Sequence, residues 1–230
     1  MKLNTKRTML VGLAFLSICI FWQMYDSVMT LILTDTFHLN ETIAGAVMAA
    51  DNVLALFLLP LFGALSDKTN TRIGRRMPYI IGGTAAAVVL MNLLPVLDNA
   101  YAASPSPLIL GLFIAALALL LVAMGVYRSP AVALMPDVTP KPLRSRGNAV
   151  INLMGAVGGI LYLALAAVLY PASRKVAGHV DYQPLFIIVS LIMAVSVLVL
   201  ALTVKEKRLS EENRALEKQH PDWNLAAKDE

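Results

Sequence analysis

Charge is scarce in this chain. Asp, Glu, Lys and Arg make up 15% of its 230 residues, hydrophobic residues make up 58%, and the mean hydropathy is +0.69. A soluble domain of this length has too little interior to hide that much apolar surface, so a water-soluble fold is excluded. Cysteine is nearly absent: Cys19 stands alone, which rules out an internal disulfide and leaves it a packing residue. Histidine is sparse too. His38, His179 and His220 lie far apart, in loops or the tail, and form no metal-ligand or nucleophile spacing, so the chain is not read as an enzyme and no cofactor is expected. A basic soluble module is also missing. The formal net charge of +4 therefore reports topology and membrane surface potential, and nucleic acid is not an expected partner.

What is present is a series of long apolar runs. A helix needs about 20 such residues to cross a hydrocarbon core of about 30 Å. Six segments qualify, near 9–33, 42–65, 78–97, 107–134, 148–170 and 184–204, all rich in Leu, Ala, Val and Gly and without the alternation of a barrel. Residues 1–204 thus form one all-α bundle of six membrane helices, with 205–230 as a cytoplasmic tail or linker. The N-terminal run is a span and not a cleaved signal. Ile18 before Cys19 is too large for a lipoprotein box, and the run continues to full spanning length.

Lys and Arg fall on alternate loops. Lys2, Lys6 and Arg7 precede the first span; Lys68, Arg72, Arg75 and Arg76 follow the second; Lys141, Arg144 and Arg146 follow the fourth; Lys205, Lys207, Arg208, Arg214, Lys218 and Lys228 follow the sixth. The opposite loops hold Arg174 and Lys175 together. Both termini are accordingly expected in the cytoplasm, with the chain in the plasma or inner cell membrane. The turn Ser104-Pro-Ser-Pro107 divides the spans into two triplets, which suggests a three-plus-three inverted repeat. Asp26 and Arg128 fall on the first helix of each triplet. The third helices, as bounded above, carry no charge and are expected to face lipid.

Asp26, Asp51 and Arg128 lie within the apolar runs. A charge near the bilayer centre costs roughly 2.5–3.5 kcal/mol, so such residues are read as functional. Cys19, Trp22, Gln23, Asp26 and Thr30 share one face of helix one at three- and four-residue steps, and that face is expected to line a cavity. Trp22 and Tyr25 suit stacking on a sugar ring, or equally packing and belt roles; Gln23 and Asp26 suit its hydroxyls. Asp51 and Asn52 sit beside Ala49 and Ala50, where an interhelical hydrogen bond is the rival reading. Counting about 1.5 Å per residue puts Asp26 and Asp51 roughly 4–8 Å to the outer side of the midplane and Arg128 about 10 Å to the inner side, too far for a simple Asp26–Arg128 ion pair. Two carboxylates at similar depth suit proton binding and release; Arg128 suits sugar hydroxyls or an acidic partner. On helix five, Asn148 and Asn152 share a face that suits cavity lining or packing, and Gly155-Ala-Val-Gly158-Gly159 permits close helix approach.

The strongest motif is the loop Gly63-Ala-Leu-Ser-Asp67-Lys-Thr-Asn-Thr-Arg72-Ile-Gly74-Arg75-Arg76-Met-Pro78. It resembles the signature loop of the major facilitator superfamily, in the longer form of the sucrose-type and glycoside–cation symporters. A second stretch is similar to the helix-four-to-five region of the same carriers: Arg128-Ser-Pro130 through Asp137, then Arg144-Ser-Arg146-Gly147-Asn148. Physically, Gly63 and Gly74 permit a tight turn and close packing, Asp67 can satisfy a helix N-terminus or pair with Arg72, and Arg75 and Arg76 anchor helix three. The resemblance implies sugar transport by alternating access, with substrate contact by an Arg of the Arg128 region. It also implies about twelve helices, hence a second six-helix half as partner, whether joined, separate or another copy. Paired helix-two aspartates before Pro60 are absent, where Ala55 and Leu59 stand, which favours H+ over Na+ as coupling ion. A six-helix assembly or regulatory partner without transport is the alternative.

Overall fold

A computed structural model describes residues 3–171 and 179–224. Lys2, Arg174, Lys175 and Lys228 of the loop-charge pattern lie outside the described residues. Six helices have the length and apolarity to cross a membrane. Helix α1 runs Thr5–Met24 and continues through two π-helical segments, Tyr25–Met29 and Ile32–Thr36. Then come α2 (Glu41–Lys68), α3 (Met77–Ala103), α4 (Pro107–Val138), α5 (Arg144–Leu169), α6 (Gln183–Thr203) and a polar seventh helix, α7 (Glu206–Gln219).

The helix starts follow local chemistry. Asn4, Asn40 and Ser106 accept hydrogen bonds from backbone N–H groups of the first turns of α1, α2 and α4, and prolines occupy the first turns of α3, α4 and α6, where an N–H has no helical partner to lose. Pro60, Pro95, Pro130 and Pro136 sit inside helices. Membrane helices tolerate this where neighbours or local adjustments satisfy the freed groups, and beside Pro60 and Pro130 the Ser129 Oγ donates to the Leu59 carbonyl at 2.8 Å, tying α4 to α2.

Packing obeys an exchange rule. Helix α1 packs on α5 and α4 packs on α2; α3 packs on α4 and α6 packs on α1; α3 and α6 pack on each other. Swapping the two triplets maps this pattern onto itself. An odd number of spans per triplet makes the swap inverted, as a three-plus-three repeat requires. Glycine sets the closest approaches: a Cβ on Gly158 would strike the Leu16 carbonyl of α1, and one on Gly83 would lie 2.9 Å from the Tyr127 backbone N of α4. Between α1 and α4, Tyr127 donates to the Ala14 carbonyl at 2.8 Å and pairs with Ser17, all buried.

One expectation changes. The third helix does carry a charged residue, because α3 runs past residue 97 and takes in Asp98, which is 0% exposed. Coverage within the bundle also differs from span to span. Within the most apolar windows, 6% of α2 and 22% of α5 is buried, against 39% of α3 and 44% of α6, since α3 and α6 each gain a partner from the other triplet. Leu56, Phe57, Ile160 and Leu163 stand exposed on α2 and α5.

Candidate functional site

The mid-membrane group gathers where α1 changes its winding. Over Tyr25–Met29 the helix is π, one residue wider per turn, and Asp26 sits in that widened turn. Its carboxylate is exposed on the side of α1 that no other helix covers and forms no ion pair among the described residues. One turn earlier, the Arg128 guanidinium carbon lies 5.4 Å from the Trp22 ring centroid, a cation–π contact suited to a planar, weakly hydrated ion. Trp22, Asp51 and Arg128 line one narrow cleft with Leu54, Leu58 and Leu121. Asp51 and Arg128 line this same cleft although they lie at different depths along their helices.

Asp51 accepts hydrogen bonds from Asn52, backbone N at 2.6 Å and Nδ2 at 2.8 Å, so Asn52 holds the carboxylate in place. Asp26 lies in the field of Asp51, and Tyr25 in the field of both carboxylates. Tyr25 itself is 1% exposed, packed on Phe21 and edge-on to Trp22 at 5.4 Å between centroids, so its ring is not offered to a ligand; its hydroxyl is buried without a partner. Gln23 is half-buried against Gly159 of α5, and Asn152 is exposed on α5.

At the other candidate region, the two sequence motifs meet. Arg75 and Arg76 both reach Asp137 at the end of α4, with Arg75 Nη2 at 2.5 Å and Arg76 Nε at 2.9 Å; both also pair with Asp67, Arg75 at 3.6 Å. Asp67 therefore pairs with Arg75 and Arg76 and not with Arg72, which points to solvent. It also lies at the C-terminal end of α2 and caps no helix N-terminus. Gly74 makes the difference: its φ of +128° reverses the chain and turns the two arginines back under α2 and α4. Gly63 makes no turn; it sits inside α2 where a Cβ would come within 3.1 Å of Ser129 Oγ. Arg76 is 4% exposed and is locked into this network instead of anchoring at an aqueous interface. Arg144 bonds the Pro136 and Thr139 carbonyls and Glu217, while Arg146 is exposed and outside the network.

The start of α3 is capped by Glu206, from the first turn of α7. Its carboxylate, 1% exposed, accepts from the backbone N–H of Arg75 and Arg76 at 2.9 Å and of Met77 at 2.8 Å. An anion is favoured at that positive helix end. Asn213 donates to the Asp137 and Thr139 carbonyls, so the tail is docked along the network. The sequence signal was one acid among the basic residues directly after the last span.

The sequence profile of the Major Facilitator Superfamily matches residues 11–229. The chain belongs to the major facilitator superfamily. The match covers all six spans of this facilitator chain and the docked tail. The chain is also 35% identical over 83 residues to YdfJ of Escherichia coli (strain K12), whose name calls it only a candidate transporter; the match covers 36% of this chain and 18% of YdfJ. No solved structure matches. Membership makes this facilitator a multi-pass membrane protein of a transporter family, and its six helices are consistent with half of a facilitator fold.

Proposed function

We propose that this chain is one half of a proton-coupled sugar symporter of the glycoside or disaccharide type, working by alternating access, with a second six-helix bundle as its partner. The observation that carries the reading is the convergence of Asp51, Arg128 and Trp22 on one cleft, one turn from Asp26, on a face of α1 left open by its neighbours. An aromatic ring beside an arginine and two carboxylates suits a neutral polyol: the ring takes the apolar side of a pyranose, and the ions take its hydroxyls. An ion in an apolar span is retained for a path or a partner, and two interacting carboxylates suit taking up and releasing one proton. The superfamily loop at Asp67–Arg76 supports gating on the basic face, which is oriented to the cytoplasm with both termini, in the cell membrane.

The test is uptake of glucosides by the chain with its second half, with and without a proton gradient. Gradient-driven accumulation is expected, and D26N is expected to abolish it while leaving downhill exchange. Accumulation unaffected by the gradient or by D26N would remove the proton assignment. The alternative, an assembly partner without transport, is favoured only by the bare apolar sides of α2 and α5. It predicts a stable complex and no substrate-dependent proton flux.

A further inference from the structure

The face opposite the basic loops holds a second ionisable group that the proposed transport path does not use. Asp98, near the end of α3, is fully buried; among the described residues no hydrogen bond to either carboxylate oxygen is fully formed, and the Thr36 hydroxyl lies within reach of it. His179, in the connection before α6, places Nε2 at 3.7 Å from Asp98 Oδ2 and 2.7 Å from Asn99 Oδ1, and Nδ1 at 3.3 Å from Thr36 Oγ1 at the end of α1. Asn99 Nδ2 donates to Asp181 Oδ1 at 2.8 Å, which turns the amide oxygen toward the imidazole. Nε2 must therefore carry a hydrogen. In the neutral ring Nδ1 is then an acceptor, and the Thr36 hydroxyl spends its only proton on it.

Protonation changes that accounting. With a proton on Nδ1 the ring donates to Thr36, whose own hydrogen is released toward Asp98, beside which it lies. The imidazolium charge also comes to rest beside the buried carboxylate, which then has both the Thr36 donor and a counter-charge, as a buried anion requires. In this protonated form His179, Thr36 and Asp98 are each paired.

We propose that His179, Thr36 and Asp98 form a proton-binding site on the face opposite the basic loops, and that the bound proton fastens the α5–α6 connection to the ends of α1 and α3. The proton comes from water in the adjoining cavity of about 470 Å³, which His179 lines, and binds the Nδ1 lone pair as the Thr36 hydroxyl turns its hydrogen away from it. The titratable groups around it among the described residues are Asp35 in the last turn of α1 and His38 just after it, Tyr101 of α3, Tyr170 at the end of α5, and Asp181 and Tyr182 of the connection. Asp181 is bonded to Asn99 and the Gln183 N–H, and its carbonyl accepts from Tyr170, so the connection is already tethered to α5 and α6; His179 supplies the tether to α1 and α3. The site stands independently of what the chain transports.

The experiment is hydrogen exchange of the full chain in lipid nanodiscs at about pH 5.5 and about pH 8, corrected for intrinsic rates, read in peptides covering residues 179–185 and 32–37. Exchange in both peptides is expected to slow roughly tenfold at the lower pH, the scale of one charge-assisted hydrogen bond. H179Q and D98N are expected to remove the pH response, and H38Q to retain it. If H179Q does not fold, T36V carries the test, since it deletes only the relaying hydroxyl and is also expected to flatten the response. A wild-type chain without pH response, or a response that survives H179Q or T36V, overturns the proposal.

Discussion

Arg128 illustrates what a single residue can do that its charge alone does not dictate. Its guanidinium lies over the Trp22 ring, where a lysine ammonium, compact and more strongly hydrated, fits poorly. R128K and W22L should each destabilise the bundle by about 1 kcal/mol, and the double variant should lose little more than either single one, because both remove one contact. Thermal unfolding of the four proteins in detergent gives that cycle, and fully additive losses would show that the contact contributes nothing. The ions themselves were legible: Asp26, Asp51 and Arg128 interrupt apolar runs, and that signal survives without coordinates. The surroundings were not. The π turn at Tyr25–Met29 depends on which backbone carbonyl each N–H reaches, and no residue pattern marks that choice. Tyr25 shared helix one's neighbourhood with Trp22, yet the π turn swings it into the core.

Among the elements, α5 shows how composition becomes contact. Gly158 meets the Leu16 carbonyl of α1, while Gly111 of α4 has open space where a Cβ would go. G158A should therefore cost about 1–3 kcal/mol by forcing the helices apart, whereas G111A should be neutral or stabilising by up to about 1 kcal/mol, since alanine is the better helix former. Thermal unfolding of the pair separates a packing glycine from an incidental one, and equal midpoints would refute the distinction. The α3 start gives a second expectation. E206Q leaves one carbonyl oxygen for three N–H groups and removes the anion from a helix N-terminus, so a loss of about 1–2 kcal/mol is expected, with E206A losing more. The glycine run of α5 could be read from sequence, but its partner could not. The pairing of Asp67 was misjudged toward Arg72 because sequence distance favours the nearer cation, whereas the left-handed Gly74 presents Arg75 and Arg76 instead.

For the molecule as a whole, the count of spans and the division into triplets followed from hydropathy and one proline-rich turn. The coverage of the helices did not, because hydropathy cannot tell a face awaiting protein from one awaiting lipid. Labelling can. In a C19A background, D26C should react with a water-soluble maleimide, since the carboxylate stands on the open polar face. L191C, exposed on α6, should stay unlabelled in the bilayer although it is 61% exposed in the bundle. A D26C that stays as unlabelled as L191C would mean that α1 has no aqueous face. Biosynthesis inherits a constraint from the Glu206 cap. The N–H groups it satisfies belong to residues translated about 130 positions earlier, so at about 5–20 residues per second the loop waits roughly 10 s for its counter-ion. Through the second half of that interval, once Asp137 has been made, the α3 entrance and its two arginines are held by α2 and α4 alone, and the ribosome delivers the cap only after the sixth span.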